Sequence, residues 1–228
     1  MKTNRTLCMA LVVLGALPIS GWATIYLDNL AQPHDYYADV KSNKWVASRF
    51  TVNDSAAAFQ MNTLKLGAVY ASTAGGNFSV SIYNCSGTPG SETVGSLLGT
   101  LNGTASPDTL GQYTYTASGI TLQANSSYWL VTSVSAGAAD YRVSYTYDTA
   151  NSIPGGWTIP TSQTYSWSLD QGANWGTYGG YWPYRYQIDA TAVPEPSVIG
   201  FLAISAMTLV GAHKLHKLRR YAAAARGR

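Results

Sequence analysis

The stretch Asn77-Phe78-Ser79-Val80-Ser81-Ile82-Tyr83-Asn84 puts Phe78, Val80 and Ile82 on one side of an extended chain and Ser79, Ser81 and Tyr83 on the other. Successive side chains of a strand point to opposite faces, so this alternation marks a strand with one face against a core. Turn residues bracket it, Thr73-Ala74-Gly75-Gly76 before and the 84–91 loop with Gly87, Pro89 and Gly90 after. The same period recurs on either side. Leu64, Leu66, Ala68 and Tyr70 alternate with Lys65, Gly67 and Val69, and Tyr141, Val143, Tyr145 and Tyr147 with Arg142, Ser144 and Thr146. Tyr184, Tyr186, Ile188 and Ala190 alternate with Arg185, Gln187 and Asp189 in a last strand.

Residues 127–134 place Tyr128, Leu130 and Thr132 opposite Trp129, Val131 and Ser133, which predicts a central strand covered on both faces. Residues 45–52 predict a strand near a sheet edge. Shorter strands are expected at 25–27, 97–101, 112–116 and 120–122, while 56–61 fits no single period. Eight to ten short strands with turn signals at close intervals predict an all-β fold, an antiparallel two-sheet β-sandwich of jelly-roll type.

Both ends of the chain differ from this middle. Lys2 and Arg5, an apolar run over 7–17 and the small-x-small site Gly21-Trp22-Ala23 read as a signal peptide over 1–23. Cys8 comes before most of that run, not after it as a lipid-anchored cysteine would. At the other end stand Val193-Pro194-Glu195-Pro196-Ser197, an uncharged apolar run and a basic tail over 214–228 with Lys214, Lys217, Arg219 and Arg220. The two prolines end the sandwich domain, expected over 24–192, and Ser197 suits a helix N-cap. The fifteen residues of the run would span roughly 22 Å as a helix, short of the ~30 Å hydrocarbon core. Snorkelling basic side chains extend it, which predicts a transmembrane helix over 198–213 with the basic tail in the cytoplasm and the sandwich outside.

The formal charge of +3 resides in these ends. Between Thr24 and Ala192 six basic residues face ten acidic ones, a net of −4 with no basic patch for a nucleic acid. Cys85 is the one cysteine there, so no intrachain disulfide forms in the mature domain, and its expected role is a small buried hydrophobe. His34 is the one histidine and is expected in a surface loop. Glu92 is the one glutamate, the aspartates are scattered, and no carboxylate pair, triad or metal-ligand spacing stands out. Neither catalytic residues nor a cofactor are therefore expected.

Residues 157–184 are rich in glycine and aromatic rings: Trp157, Trp167, Trp175, Tyr178, Tyr181 and Trp182. Two readings stay open. Such rings fill sandwich ends, or they stand out in loops and stack on the C–H faces of sugars. Trp175 and Trp182 are the expected exposed pair for carbohydrate, because Gly176, Gly179, Gly180 and Pro183 should break strand pairing around them.

The three-part tail, with its Val-Pro-Glu-Pro-Ser motif at 193–197, resembles the PEP-CTERM sorting signal of Gram-negative, exopolysaccharide-producing bacteria. That resemblance implies recognition by an exosortase in the inner membrane. The sandwich would be anchored in the periplasm at first and then pass to the cell surface or the extracellular polymer. Tyr221 to Arg228 run past the usual basic end. Between Ala58 and Ile188 the order of features resembles the choice-of-anchor R domains. It rests on the strand at 78–83, Thr88-Pro89-Gly90-Ser91, the Gly-Ser-Leu-Leu-Gly at 95–99, Leu122 followed by Ser127-Tyr128-Trp129-Leu130-Val131, and Trp167 and Tyr186. It implies a surface-displayed β-sandwich without a known active site.

Overall fold

The computed structural model describes residues 22–54, 58–88, 91–154 and 156–193. Thirteen strands and no helix occur among them, arranged as two antiparallel sheets packed face to face as a β-sandwich. The first sheet holds β1 (Thr24–Asp28), β2 (Tyr36–Lys41), β4 (Ala58–Thr73), β7 (Gly111–Thr116), β8 (Thr121–Gln123), β10 (Asp140–Tyr145) and β13 (Tyr186–Val193). The second runs in the order β12 (Gly176–Tyr178), β11 (Tyr165–Ser168), β3 (Trp45–Val52), β9 (Ser126–Val134), β5 (Phe78–Ser86), β6 (Thr93–Thr100). Residues 1–21, the transmembrane helix expected over 198–213, its basic tail and the motif residues Pro194 to Ser197 lie outside the described residues.

β4 organises the first sheet. One flank pairs with β13 from Ala58 to Leu66 and then with β10 from Val69 to Thr73, while the other takes β8 and β7. Two irregularities keep its apolar residues inward. Asn62 is an extra residue between Thr63, opposite Asp189, and Met61, opposite Ala190. A second break between Leu66 and Val69 contains Ala68 at φ 48°. A left-handed alanine costs roughly 1–2 kcal/mol, yet it restores the phase of the strand. Phe59, Met61, Leu64, Leu66 and Val69 are all buried. The expectation from strict alternation, Ala68 and Tyr70 inward with Leu66, is corrected by this bulge: Val69 takes the core position.

β3 also departs from expectation, since it lies between β11 and β9 and not near an edge. Arg49 lies in the middle of this strand. Its guanidinium is in fact buried, with Nη1 donating to Glu92 Oε2 at 2.6 Å, Nη2 donating to the Ser162 carbonyl at 2.8 Å, and the Trp129 ring 5.8 Å away. The outer face of the second sheet thus has a small apolar layer of its own, Ala47, Val94, Trp129 and Val131, flanked by Trp45, Tyr83, Cys85 and Trp175. Burial pushes the Cys85 thiol up to about 12, aided by Glu92 and opposed by Arg49, which keeps it protonated and unreactive.

Trp157 belongs to the main core. Its ring is fully buried, stacked on Tyr26 at 5.1 Å and on Phe50 at 6.0 Å, with Phe59 edge-on at 5.3 Å. Asn151 fixes the chain beside it, its Nδ2 donating to the carbonyls of Tyr26 and Trp157. Replacement of Trp157 by Ala is expected to destabilise the domain by about 3–5 kcal/mol. Urea denaturation followed by circular dichroism reads this, and a loss below about 1 kcal/mol would mean that the ring does not hold the two sheets together.

Candidate functional site

β2 and β10 are antiparallel neighbours with Tyr36 directly opposite Tyr145. That register puts the first ring of β2 and the last ring of β10 at one corner of the first sheet, where the segment before β13 crosses from the second sheet. Tyr184 N–H donates to Ser48 Oγ at 3.0 Å in the core, and its hydroxyl meets Thr132 Oγ1 at 3.2 Å. Two residues earlier, Trp182 N–H donates to Thr164 Oγ1 at 2.6 Å. The indole of Trp182 is thereby held against both sheets.

A row of rings results. Tyr36 meets Tyr147 at 6.0 Å, Tyr147 meets Trp182 at 6.4 Å, and Trp182 stacks on Tyr178 at 4.2 Å with 23° between planes. Tyr145 lies beneath, stacked on Tyr36 at 6.1 Å and on Trp182 at 5.6 Å, and Tyr165 supports Trp182 from the other side. Tyr36, Tyr147 and Tyr178 remain 59%, 49% and 43% exposed. Burial, followed by the neighbouring Tyr147, raises the Tyr145 hydroxyl to about 12, and burial also raises Tyr165, so the layer under the row is uncharged at neutral pH.

Beside this row opens a groove of about 470 Å³, lined by Pro33, Asp35, Tyr147, Asp148, Thr161 and Tyr181 among others. Tyr181 is 49% exposed. Asp35 Oδ2 accepts from Tyr147 N–H at 2.7 Å, and Asp148 Oδ1 accepts from Ala150 N–H at 2.8 Å, so both carboxylates are pinned in place through one oxygen. His34 sits just outside, its Nδ1 3.0 Å from Ser144 Oγ and its ring 4.1 Å from that of Tyr37.

The two tryptophans singled out from the sequence go to different places. Trp182 stands in the row but is half-buried, and Trp175 is a half-buried part of the outer apolar layer on the second sheet. They share no ring contact. Gly176 does not break pairing as expected, since it opens β12 and lies opposite Trp167 of β11. The exposed rings of the row are instead the tyrosines, of which Tyr36 and Tyr147 lie outside the aromatic-rich segment 157–184. Alternation puts Tyr147 on one face with Tyr141, Val143 and Tyr145, but β10 ends at Tyr145 and Tyr147 is exposed while those three are buried; no sequence pattern marks Tyr36, and joining both rings to Trp182 takes the strand register. Among the described residues no group of three or more His, Cys, Asp or Glu side chains could hold a metal ion.

Trp175 lines a smaller depression of about 310 Å³ with Trp167, Leu169, Asp170 and Asn174. Its rim is fixed by Asp170, which accepts from Asn174 Nδ2 at 2.6 Å, from Asn174 N–H at 2.8 Å and from the Ser168 hydroxyl at 2.7 Å. These bonds, the Asn174 side chain first, lower the Asp170 carboxyl to about 2. Its contribution to holding the loop is complete above the ordinary value of 3.8 and is lost as pH falls through about 2. In an acid titration by NMR, the Asn174 amide should therefore shift with a midpoint near 2, and in Asp170→Asn that step should vanish. A midpoint at the ordinary carboxylate value would show that the cap does not hold in solution.

Against known proteins, the sequence matches no family model and no curated protein.

Proposed function

We propose that this chain is an exported, non-catalytic surface or extracellular-matrix protein, whose β-sandwich is carried through the inner membrane, anchored by its C-terminal helix and sorted by an exosortase. What supports the reading is that β13 runs to Val193, the first residue of the motif, so the motif follows directly on a strand of the sandwich. A processing enzyme needs an extended substrate next to a completed fold. Pro194 and Pro196 would favour one, because proline can neither continue the ladder nor enter a helix interior. Mass spectrometry of the mature protein tests it. A new C-terminus near Pro194-Glu195-Pro196 is expected in the wild type, with the uncut tail retained when these three residues are replaced by alanine. An identical mature end in both forms would refute sorting through this motif.

A second reading, a carbohydrate-binding function for the same domain, is favoured by the row of exposed rings at the sandwich corner. Planar Tyr and Trp faces take up the C–H faces of pyranose rings by dispersion, while their hydroxyls and N–H groups reach sugar hydroxyls. Retardation in native gels containing the producing organism's exopolysaccharide is the direct assay. Tyr147→Ala with Tyr178→Ala should abolish it, at roughly 1–3 kcal/mol for each ring face lost, by analogy with stacked bases. Equal retardation of the folded double variant and the wild type would remove the row from consideration.

A further inference from the structure

The groove beside the aromatic row carries more chemical information than the row itself. Two carboxylates, Asp35 and Asp148, line it, and among the described residues no lysine, arginine or histidine does. Each carboxylate has one oxygen occupied by a backbone N–H, Asp35 Oδ2 by Tyr147 and Asp148 Oδ1 by Ala150, which fixes both groups without neutralising either. The basic side chains on the adjoining strands are engaged elsewhere, Lys41 with Asp140 at 3.1 Å and Arg142 with Asp39 at 3.2 Å. Tyr147 and Tyr181, about half exposed, supply ring surface in the groove, and the hydroxyls of Thr149 and Thr161 add neutral polar groups.

A ligand suited to these walls has flat apolar faces, many hydroxyls, and positive charge at intervals. A uronic-acid polymer meets like charge at both aspartates, and a neutral glucan leaves them with hydroxyl donors only. A hexosamine polymer with free amino groups gives an ammonium to a carboxylate while its pyranose ring lies on tyrosine. Resting on the carbohydrate-binding reading above, we infer that the Asp35–Asp148 groove selects polysaccharides built of hexosamine units with free, unacetylated amines. At about 470 Å³ it falls within the range of small-ligand sites and has room for a short oligosaccharide.

The test compares three oligosaccharide probes of equal length on the full chain in a polyoxyethylene detergent, which contains no sugar: glucosamine, N-acetylglucosamine and galacturonate oligomers. Calorimetric titration near neutral pH and low salt should give binding of the glucosamine oligomer roughly tenfold tighter than of its acetylated counterpart, with no binding of the galacturonate. Raising NaCl from about 0.05 to about 0.5 M should shrink that preference, since partly exposed charges are screened. Asp35→Asn with Asp148→Asn keeps an acceptor oxygen for each backbone N–H. It should reduce the preference to near unity while leaving the acetylated oligomer bound. Tyr147→Ala with Tyr181→Ala should weaken all binding. Equal or tighter binding of the acetylated or acidic oligomer, with dependence on the tyrosines, would overturn the amine selectivity and leave the carbohydrate reading standing. Failure of all three probes to bind the folded wild type would remove that reading as well. Glucosamine binding indifferent to all four substitutions would be nonspecific attraction to an acidic domain, and would overturn the inference too.

Discussion

One strand, β4, has to keep its apolar side chains inward while it changes neighbours part-way along its length. Antiparallel pairing has a strict period of two, so any extra residue would turn the remainder of the strand inside out. β4 takes two such steps. The extra Asn62 places its side chain outside, where Nδ2 donates to Asp189 Oδ1 at 2.7 Å and to Thr191 Oγ1 at 2.9 Å. At the second step Gly67 brings the backbone so close to Arg185 that its N–H donates to the Arg185 carbonyl at 2.7 Å, and a Cβ there would lie 3.1 Å from the same oxygen. The handover from β13 to β10 occurs at this point, and it sets where β10 ends and where its rings emerge.

The same handover joins the core to the surface row. Tyr184 and Arg185 occupy the gap between the two partners of β4, with Arg185 N–H donating to the Ser144 carbonyl and Tyr184 opposite Tyr145 in an isolated bridge. Asn29, itself buried, completes the seam by acting like a short strand. Its side chain donates to the Tyr184 carbonyl at 2.8 Å and accepts from Tyr186 N–H at 2.7 Å. Buried amide groups satisfied on both sides are costly to disturb, at roughly 1–3 kcal/mol for each partner left without a bond. Trp182 is therefore not a loop ring free to collapse onto the sheet. Its flanking backbone is tied to Thr164 on one side and, through Tyr184, to Ser48 on the other.

How much of this could be read from the sequence follows from where periodicity survives. β5 and β13 alternate cleanly and β9 is a nearly unbroken apolar run long enough for a strand, and the structure has strands at those places, with β9 interior and covered on both faces. β2 escaped notice because only Ala38 and Val40 face inward among two tyrosines and two charged residues, and its pairing comes from β10, a hundred residues away. β11 escaped because Tyr165-Ser-Trp-Ser168 is buried wholly or in part at every position, which leaves no polar face to mark the period. The phase of β4 was hidden by Ala68, a residue type that gives no warning of a left-handed bulge. The site was legible only as an excess of aromatics near the C-terminal end of the domain. Which rings are exposed depends on Tyr36 facing Tyr145 across a strand pair, and composition carries no trace of that.

An exposed aromatic row is a liability unless its geometry is fixed, because mobile rings would bury one another and flat apolar surfaces invite association. Here Tyr145 and Tyr165 form a lower layer whose hydroxyls stay protonated, so the row rests on an uncharged support. The nearest fixed charges in the groove are the two aspartates, each oriented by the backbone of the segment just beyond β10. Since Tyr147 N–H is the group that orients Asp35, moving the carboxylate would also move the ring. Apolar face and charge are thus set at a constant spacing by one hydrogen bond, and a site with both features on a rigid sheet corner can discriminate by charge without reorganising to do so.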